Sequence, residues 1–372
     1  MKVRCSRGQL SEAFSIASMV VPQRTPIPSL TSVKLTALRE KSGGLLELAC
    51  TDMEFGLKYS VPAAEVKEEG TLVLPAARVA GILREAGDQE VTIDSDGNLA
   101  HLRLPDSSFK LVGLDPSDFP TVPTFEDKGA VRIGTEELGT MIRKTQFAVS
   151  TEVVRYSLTG QLLEVKGKEL RMVASDGKRL AYIKSRSSGK GDGQKDLRVI
   201  VPTKTMNLLD KVLGEEDDQV ALAVEETQIK LKTSRALIFS RLIEDRFPDY
   251  EAVVPANLDK KVVANRESLL SAFRKSSLMT TDKTRAVKMS LSKGKMTLFT
   301  RTADVGEAKV ELAVEYKGEE LDVVFNPDYV ADYLKVLADE TVELHLKDRT
   351  AAAAFKAGKD YVYVLMPLTV SI

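Results

Sequence analysis

Tryptophan is absent from this 372-residue chain, cysteine and histidine occur only twice each, and no apolar run is long enough to span a bilayer. Each shortage removes a class of function. Cys5 and Cys50 lack a second pair and any CxxC spacing, which leaves a disulfide framework and a zinc site without support; both read as buried thiols. His101 and His345 each fall in an alternating strand pattern, with no Cys or His neighbour at metal-ligand spacing, and read as structural. Neither metal nor cofactor is expected. The opening Met1-Lys2-Val3-Arg4-Cys5-Ser6-Arg7 carries charge without the apolar stretch of a signal peptide, so the expected location is the cytoplasm, with no membrane partner. An excess of positive charge is missing too: 53 basic residues face 54 acidic ones, for a net charge of −1. Any contact with nucleic acid must therefore come from local segregation of charge.

Catalytic constellations are equally scarce. Ser187-Ser188-Gly189-Lys190-Gly191-Asp192-Gly193 contains Gly-Lys but lacks the phosphate-loop spacing and the Ser or Thr after Lys, and reads as a flexible loop. Glu215-Glu216-Asp217-Asp218 follows Gly214 and reads as a solvated turn rather than a Mg²⁺ site. Nucleophile, base and orienting group do not stand together anywhere, so the chain is not expected to be an enzyme.

What is present is a globular composition, 43% hydrophobic and 29% charged, on a chain long enough for two or three domains. An internal period favours three. A strand running into a proline that opens an amphipathic helix occurs at Leu72-Val73-Leu74-Pro75, Val199-Ile200-Val201-Pro202 and Val324-Phe325-Asn326-Pro327, the prolines falling 127 and 125 residues apart. Helical spacing follows each: Val79, Ile82, Leu83 and Ala86; Leu208, Leu209, Val212 and Leu213; Val330, Tyr333, Leu334 and Leu337. An earlier helix in each third is read from Leu10-Ala13-Phe14-Ala17, Leu138-Met141-Ile142 and Leu269-Leu270-Phe273. Between the helices, alternating runs are broken at Gly43-Gly44, Asp96-Gly97, Gly167-Lys168 and Gly294-Lys295, the signature of antiparallel hairpins. Asp52, Asp176 and Asp304 keep the same beat at strand ends, and Asp118-Phe119-Pro120 is echoed by Arg246-Phe247-Pro248.

Each third thus reads as a doubled β-α-β-β-β unit, an α+β domain whose helices cover one face of antiparallel sheets. The expected boundaries are 1–125, 129–254 and 255–372, where Pro and charged residues interrupt the apolar pattern.

These landmarks carry a family resemblance over essentially the whole chain. Val154-Arg155-Tyr156-Ser157-Leu158-Thr159-Gly160, Val173-Ala174-Ser175-Asp176-Gly177-Lys178-Arg179-Leu180-Ala181, Arg246-Phe247-Pro248-Asp249-Tyr250 and Met366-Pro367-Leu368 resemble, in order, motifs of the bacterial DNA polymerase III beta subunits, the β sliding clamps. The resemblance implies three tandem DNA-clamp domains and a head-to-tail homodimer closing a six-domain ring, with helices lining the hole and sheets outside. Such a ring encircles double-stranded DNA without reading sequence and gives processivity to the replicative DNA polymerase. The further partners it implies are the clamp loader and other replication and repair proteins.

It also implies sites. Arg24, Arg78 and Lys204 match basic positions of the family and are expected to touch DNA, with Arg84, Lys144, Lys211, Arg274 and Lys275 beside them on or near the helices. The sixth helix, with Asp328, Asp332 and Asp339 against Lys335, is a poor DNA-facing helix. A partner-peptide cleft carries over onto Leu158, Ser175, Gly177, Lys178, Arg179 and Leu180 from the second repeat. Pro248, Val253, Val364, Met366, Pro367 and Leu368 complete it, giving an apolar cleft with a basic rim. Here Lys178 stands where the family usually has His, and Ala252 and Thr369 where Arg is common. For the dimer, Phe109 and Leu111 match one side and Leu278 and Met279 the other. The competing reading of the repeats is an interaction scaffold that does not bind DNA.

Overall fold

The computed structural model describes all residues except 41–42, 88–89, 153, 187–195, 215–217 and 371–372. The Gly/Ser-rich run at 187–193 and the acidic residues 215–217 therefore lie outside the described residues. In the first repeat, β1 (Lys2–Ser6), α1 (Arg7–Ala17), β2 (Ser32–Glu40), β3 (Gly43–Thr51) and β4 (Phe55–Glu68) form one β-α-β-β-β unit. β5 (Gly70–Pro75), α2 (Ala76–Glu85), β6 (Glu90–Asp96), β7 (Leu99–Arg103) and β8 (Ser108–Val112) form its copy. The second repeat runs β9 (Val131–Gly134), α3 (Thr135–Thr145), β10 (Gly160–Lys166), β11 (Glu169–Ser175), β12 (Arg179–Arg186), then β13 (Leu197–Pro202), α4 (Thr203–Val212), β14 (Gln219–Glu225), β15 (Gln228–Lys232) and β16 (Ala236–Arg241). The third runs β17 (Lys260–Asn265), α5 (Arg266–Ser277), β18 (Val287–Ser292), β19 (Lys295–Thr302), β20 (Gly306–Ala313), then β21 (Leu321–Phe325), α6 (Pro327–Lys335), β22 (Thr341–Leu346), β23 (Ala353–Ala357) and β24 (Tyr361–Leu365). The doubled unit expected from the periodicity thus occurs three times.

Local chemistry explains the elements. The hairpin glycines Gly97, Gly167 and Gly294 adopt φ of +56°, +55° and +76°, the left-handed backbone that two-residue turns demand. Asn265 caps α5 by accepting from the Ser268 N–H at 3.0 Å, and Asn326 caps α6 by accepting from the Asp328 N–H at 2.9 Å. Arg274 and Lys275 occupy the last turn of α5, where the helix dipole favours cations. The prolines correct the sequence reading in part. Pro327 does open α6, but Pro75 and Pro202 end β5 and β13 one residue before their helices. Each strand has one strand neighbour among the described residues, the other edge meeting only isolated contacts at Val73 and Ile200, so the missing N–H costs no ladder bond, and the fixed proline φ suits extended backbone as well as helix.

Packing divides the described chain into two compact units, so that the second repeat contributes to both. The first unit, residues 1–136 and 204–242, holds a twelve-stranded sheet ordered β8-β7-β6-β1-β4-β16-β15-β14-β9, with β3 beside β4 and β2 between β3 and β5. Its inter-repeat seam is β4 against β16, antiparallel from Phe55 opposite Ser240 to Tyr59 opposite Ala236. The second unit, 137–186, 196–203 and 243–370, holds an eight-stranded sheet ordered β13-β10-β11-β12-β24-β23-β22-β17 and a four-stranded sheet ordered β20-β19-β18-β21. Its seam is β12 against β24, from Arg179 opposite Leu365 to Ile183 opposite Tyr361. The same rule makes both seams: the fourth strand of one repeat pairs with the last strand of the next.

Candidate functional site

Within the second unit, the β12–β24 seam floors a cleft of about 520 Å³. Leu180 and Val364 face each other across the seam and are buried, and Leu158, Phe247 and Tyr250 pack around them in one apolar cluster. Each arrives by a short local device. The 3-10 turn Tyr156–Thr159 delivers Leu158, the turn after β11 brings Gly177 and Lys178, and the 3-10 turn Glu251–Val253 sets Val253 on the wall, 46% exposed. Met366, 44% exposed, stands at the mouth just beyond the last rung of the seam, where its N–H donates to the Lys178 carbonyl at 3.0 Å. An open groove with an apolar floor and half-exposed Val and Met walls suits an extended chain with hydrophobic side chains.

Ten of the twelve residues expected in the cleft line it; Pro367 and Leu368 do not. Past Met366 the backbone leaves the groove, and the Leu368 N–H donates to the Val324 carbonyl at 2.8 Å, tying the chain to β21 instead. Arg179 lines the cleft but is no free rim charge. Its guanidinium pairs with Asp176 and Asp332, both at 3.0 Å, donates to the Phe147 carbonyl at 2.6 Å, and lies 4.2 Å from the centre of the Tyr329 ring. The basic rim consists instead of Lys178 and Arg155, with Asp245 among the lining residues. Arg155 lies against the Cα face of Gly177, whose φ is +87°, and donates to the Asp176 carbonyl at 3.3 Å.

Sequence reasoning missed Val154, Arg155, Tyr156, Ser157, Asp245, Phe247 and Tyr250 as lining residues. All but Asp245 stand inside motifs already singled out; folding of the second repeat sets the segments at 154–157 and 245–250 side by side, and no linear pattern shows that. Tyr250 is tied from behind: its hydroxyl donates to Glu164 at 2.6 Å and accepts from Arg171 at 3.1 Å. Burial pushes its phenol pKa up, and the bond to Glu164 adds to the shift.

The basic residues fall into two groups. Arg24, Arg78, Arg84, Lys204 and Lys211 are exposed in the first unit, with Arg78 and Arg84 on α2 and Arg24 in the loop after α1. Lys204 is engaged locally, 2.8 Å from Asp52 and 5.0 Å from the centre of the Phe55 ring. In the second unit Arg274 and Lys275 are exposed on α5, while Lys144 is half-buried over the Tyr361 ring at 5.1 Å. Asp328 and Asp332 of α6 are taken up by Arg285, Arg179 and Lys335. Phe109 and Leu111 lie on β8, and Leu278 follows α5 at 72% exposure with the half-buried Met279 after it.

No group of three or more His, Cys, Asp or Glu is placed to hold an ion among the described residues. His345 instead pairs with Glu343 at 2.9 Å. Cys5 and Cys50 are buried, and burial pushes the Cys5 thiol up to about 12, far from a reactive thiolate. No helix among the described residues is long and apolar enough to cross a membrane.

A threefold β-α-β-β-β pair, joined by strand seams and carrying an apolar cleft on one seam, defines the class: a three-domain DNA-clamp fold. Family models for the DNA polymerase III beta subunit match all three parts, the N-terminal domain at 1–123, the central domain at 132–249 and the C-terminal domain at 251–369. The beta sliding clamp of Pseudomonas aeruginosa is 32% identical over 371 residues, covering 99% of this chain and all of the relative, and that of Chlamydia muridarum is 31% identical over 369 residues, covering 99% of each. A crystal structure of the P. aeruginosa DNA polymerase III subunit beta superposes with a TM-score of 0.88 at 32% identity, over the full length of both chains. The chain belongs to the DNA polymerase III beta subunit family, the beta sliding clamps. As a sliding clamp it is a processivity factor of DNA replication.

Proposed function

We propose that two copies of this chain close head to tail into a ring of six domains around duplex DNA, β8 of each copy pairing with β20 of the other. One observation carries this reading. Fourth and last strands of successive repeats pair twice inside the chain, β4 with β16 and β12 with β24, and only β20 and β8 of those six keep an edge without a strand neighbour among the described residues. Exposed edges invite pairing, and a second copy satisfies both at once. Val112 on β8 is 76% exposed and Leu278 72%, apolar surface that a closed dimer would cover, with Phe109, Leu111 and Met279 alongside.

In this ring the domains are 1–125, 129–254 and 255–372, and the helices face the duplex. A helix of about 12 residues, roughly 18 Å long, crosses the DNA backbone without reading a base. Arg24, Arg78, Arg84, Lys211, Arg274 and Lys275 supply loose phosphate contacts; Lys204 and Lys144 join them at the cost of their present partners. Few phosphates neutralised at a time means non-specific, salt-sensitive and mobile binding, so retention comes from topology rather than affinity. The cleft takes short extended peptides with leucine or phenylalanine anchors from the replicative polymerase, the clamp loader and repair proteins, all in the cytoplasm. No catalytic step is assigned to the chain itself.

The deciding experiment loads the protein onto nicked circular DNA with a clamp loader and then linearises the circle. The ring reading expects a dimer by solution mass, retention on the circle and loss within minutes of linearisation. Equal retention on both forms sinks the topological mechanism, and a monomer that leaves nothing on the circle favours the scaffold without DNA.

A further inference from the structure

Glu164 is fully buried in β10, and its neighbours on the two flanking strands are both arginines, Arg171 on β11 and Arg198 on β13. Arg198 pairs with one carboxylate oxygen, while the other accepts from the Tyr250 hydroxyl at 2.6 Å. Arg171 donates to the same hydroxyl at 3.1 Å and to Glu251 at 2.6 Å. A carboxylate taken wholly out of water is a costly component, and well-packed neutral side chains in its place are often at least as stable.

The other repeats do without it. Four residues before Pro202, Pro75 and Asn326, each the residue that precedes its helix, stand Arg198, Thr71 and Asp322. The three-strand rungs at that position are Arg198-Glu164-Arg171, Thr71-Thr36-Glu47 and Asp322-Ser290-Thr297. The same three-strand rung is therefore built three times, once per repeat, and two of the three have no central carboxylate. Only the repeat carrying the cleft buries one.

Its position says what it holds. Leu162, two residues earlier and so on the same face of β10, belongs to the apolar cluster beneath the cleft together with Tyr250. With its hydroxyl bound to Glu164 and Arg171, Tyr250 offers the groove its ring, which packs on Tyr182 at 5.4 Å between centroids. Arg171 also grips Glu251, the first residue of the 3-10 turn that ends in the wall residue Val253.

We propose that Glu164 and Arg171 are positioning residues of the cleft: acting through Tyr250 and the Glu251–Val253 turn, they fix floor and wall and so set its selectivity for an apolar peptide anchor. This rests on the reading of the cleft as a peptide site. Arg171→Met removes both grips but leaves the Glu164–Arg198 pair in place. Glu164→Gln keeps an acceptor for the Tyr250 hydroxyl, and Glu164→Leu does not.

The test titrates full-length dimers with two synthetic hexapeptides, one bearing two leucines and a phenylalanine and one with those three residues changed to serine, alongside thermal unfolding of each variant. The expected result is about tenfold weaker binding of the apolar peptide by Arg171→Met and by Glu164→Leu, with discrimination between the peptides compressed and Glu164→Gln close to wild type. Should Glu164→Leu fail to fold, Arg171→Met with Glu164→Gln still decides. Arg171→Met binding both peptides like the wild type overturns the proposal alone. Wild-type protein that does not bind the apolar peptide, or binds it equally well after Met366→Ala, overturns the peptide-site reading and this proposal with it.

Discussion

Phe239 on β16 lies over Gly56 on β4, so close that a β-carbon on Gly56 would collide with the ring. The matching pair on the other seam is Val364 opposite Leu180, the floor of the cleft. The two seams share one strand rule, yet on the first a ring fills the space that the second leaves open; Phe239 is only 5% exposed. Gly56→Ala is expected to destabilise the protein by about 1–3 kcal/mol, the cost of overpacking a filled site. Urea unfolding measures this through its midpoint. Peptide titration should in turn give one site per chain.

Gly177 is the counterpart in the cleft loop, where a glycine serves a different purpose. Its φ of +87° is strained for any L side chain, and the Arg155 guanidinium occupies the space a β-carbon would need. Gly177→Ala should cost about 1–2 kcal/mol of stability and also push Arg155 off the rim. Calorimetry checks the first effect; a several-fold change in peptide affinity that Arg155→Ala reproduces checks the second.

Helices and hairpins were legible in the sequence because their signals are local: Leu269, Leu270 and Phe273 lie at helical spacing, and Gly167 and Gly294 mark turns between alternating runs. The repeat was legible for the same reason. Seam pairing was not, because β4 meets β16 and β12 meets β24 across well over a hundred residues, and nothing in the local pattern of β16 names its partner. Glu164 carries no local mark as a buried carboxylate, because Arg198, Arg171 and Tyr250, the groups around it, come from other strands and a later loop. Arg179 is placed in a basic-rimmed cleft by family resemblance, and only the fold shows the acids and rings that absorb its charge.

Arg179 is therefore expected to matter more to stability than to attraction of a partner. Its side chain is 10% exposed and those of Asp176 and Asp332 are 15% and 29%, so truncation strands two acids in a poorly solvated place. Arg179→Ala should lower the unfolding free energy by about 3–5 kcal/mol. Arg179→Lys should recover less than half of that loss, because an ammonium cannot serve both acids in a planar fork while stacking on Tyr329. Denaturant melts of the three proteins supply the comparison, and equal midpoints for Arg179→Ala and wild type would falsify this account.

The free edges make the last expectation a matter of mass. Val112 and Leu278 are the most exposed large apolar side chains among the residues assigned here to β8 and to the end of α5, and exposure alone would make their replacement by aspartate nearly neutral in a monomer. If β8 pairs with β20 of a second copy and both side chains are covered, an aspartate there buries an unpaired charge. Val112→Asp and Leu278→Asp should each raise the dimer dissociation constant about 30-fold or more, equivalent to about 2 kcal/mol. Sedimentation at falling protein concentration reads that shift, while circular dichroism should show each variant still folded. A dimer that survives both substitutions at unchanged affinity would place the contact elsewhere than on β8 and the end of α5.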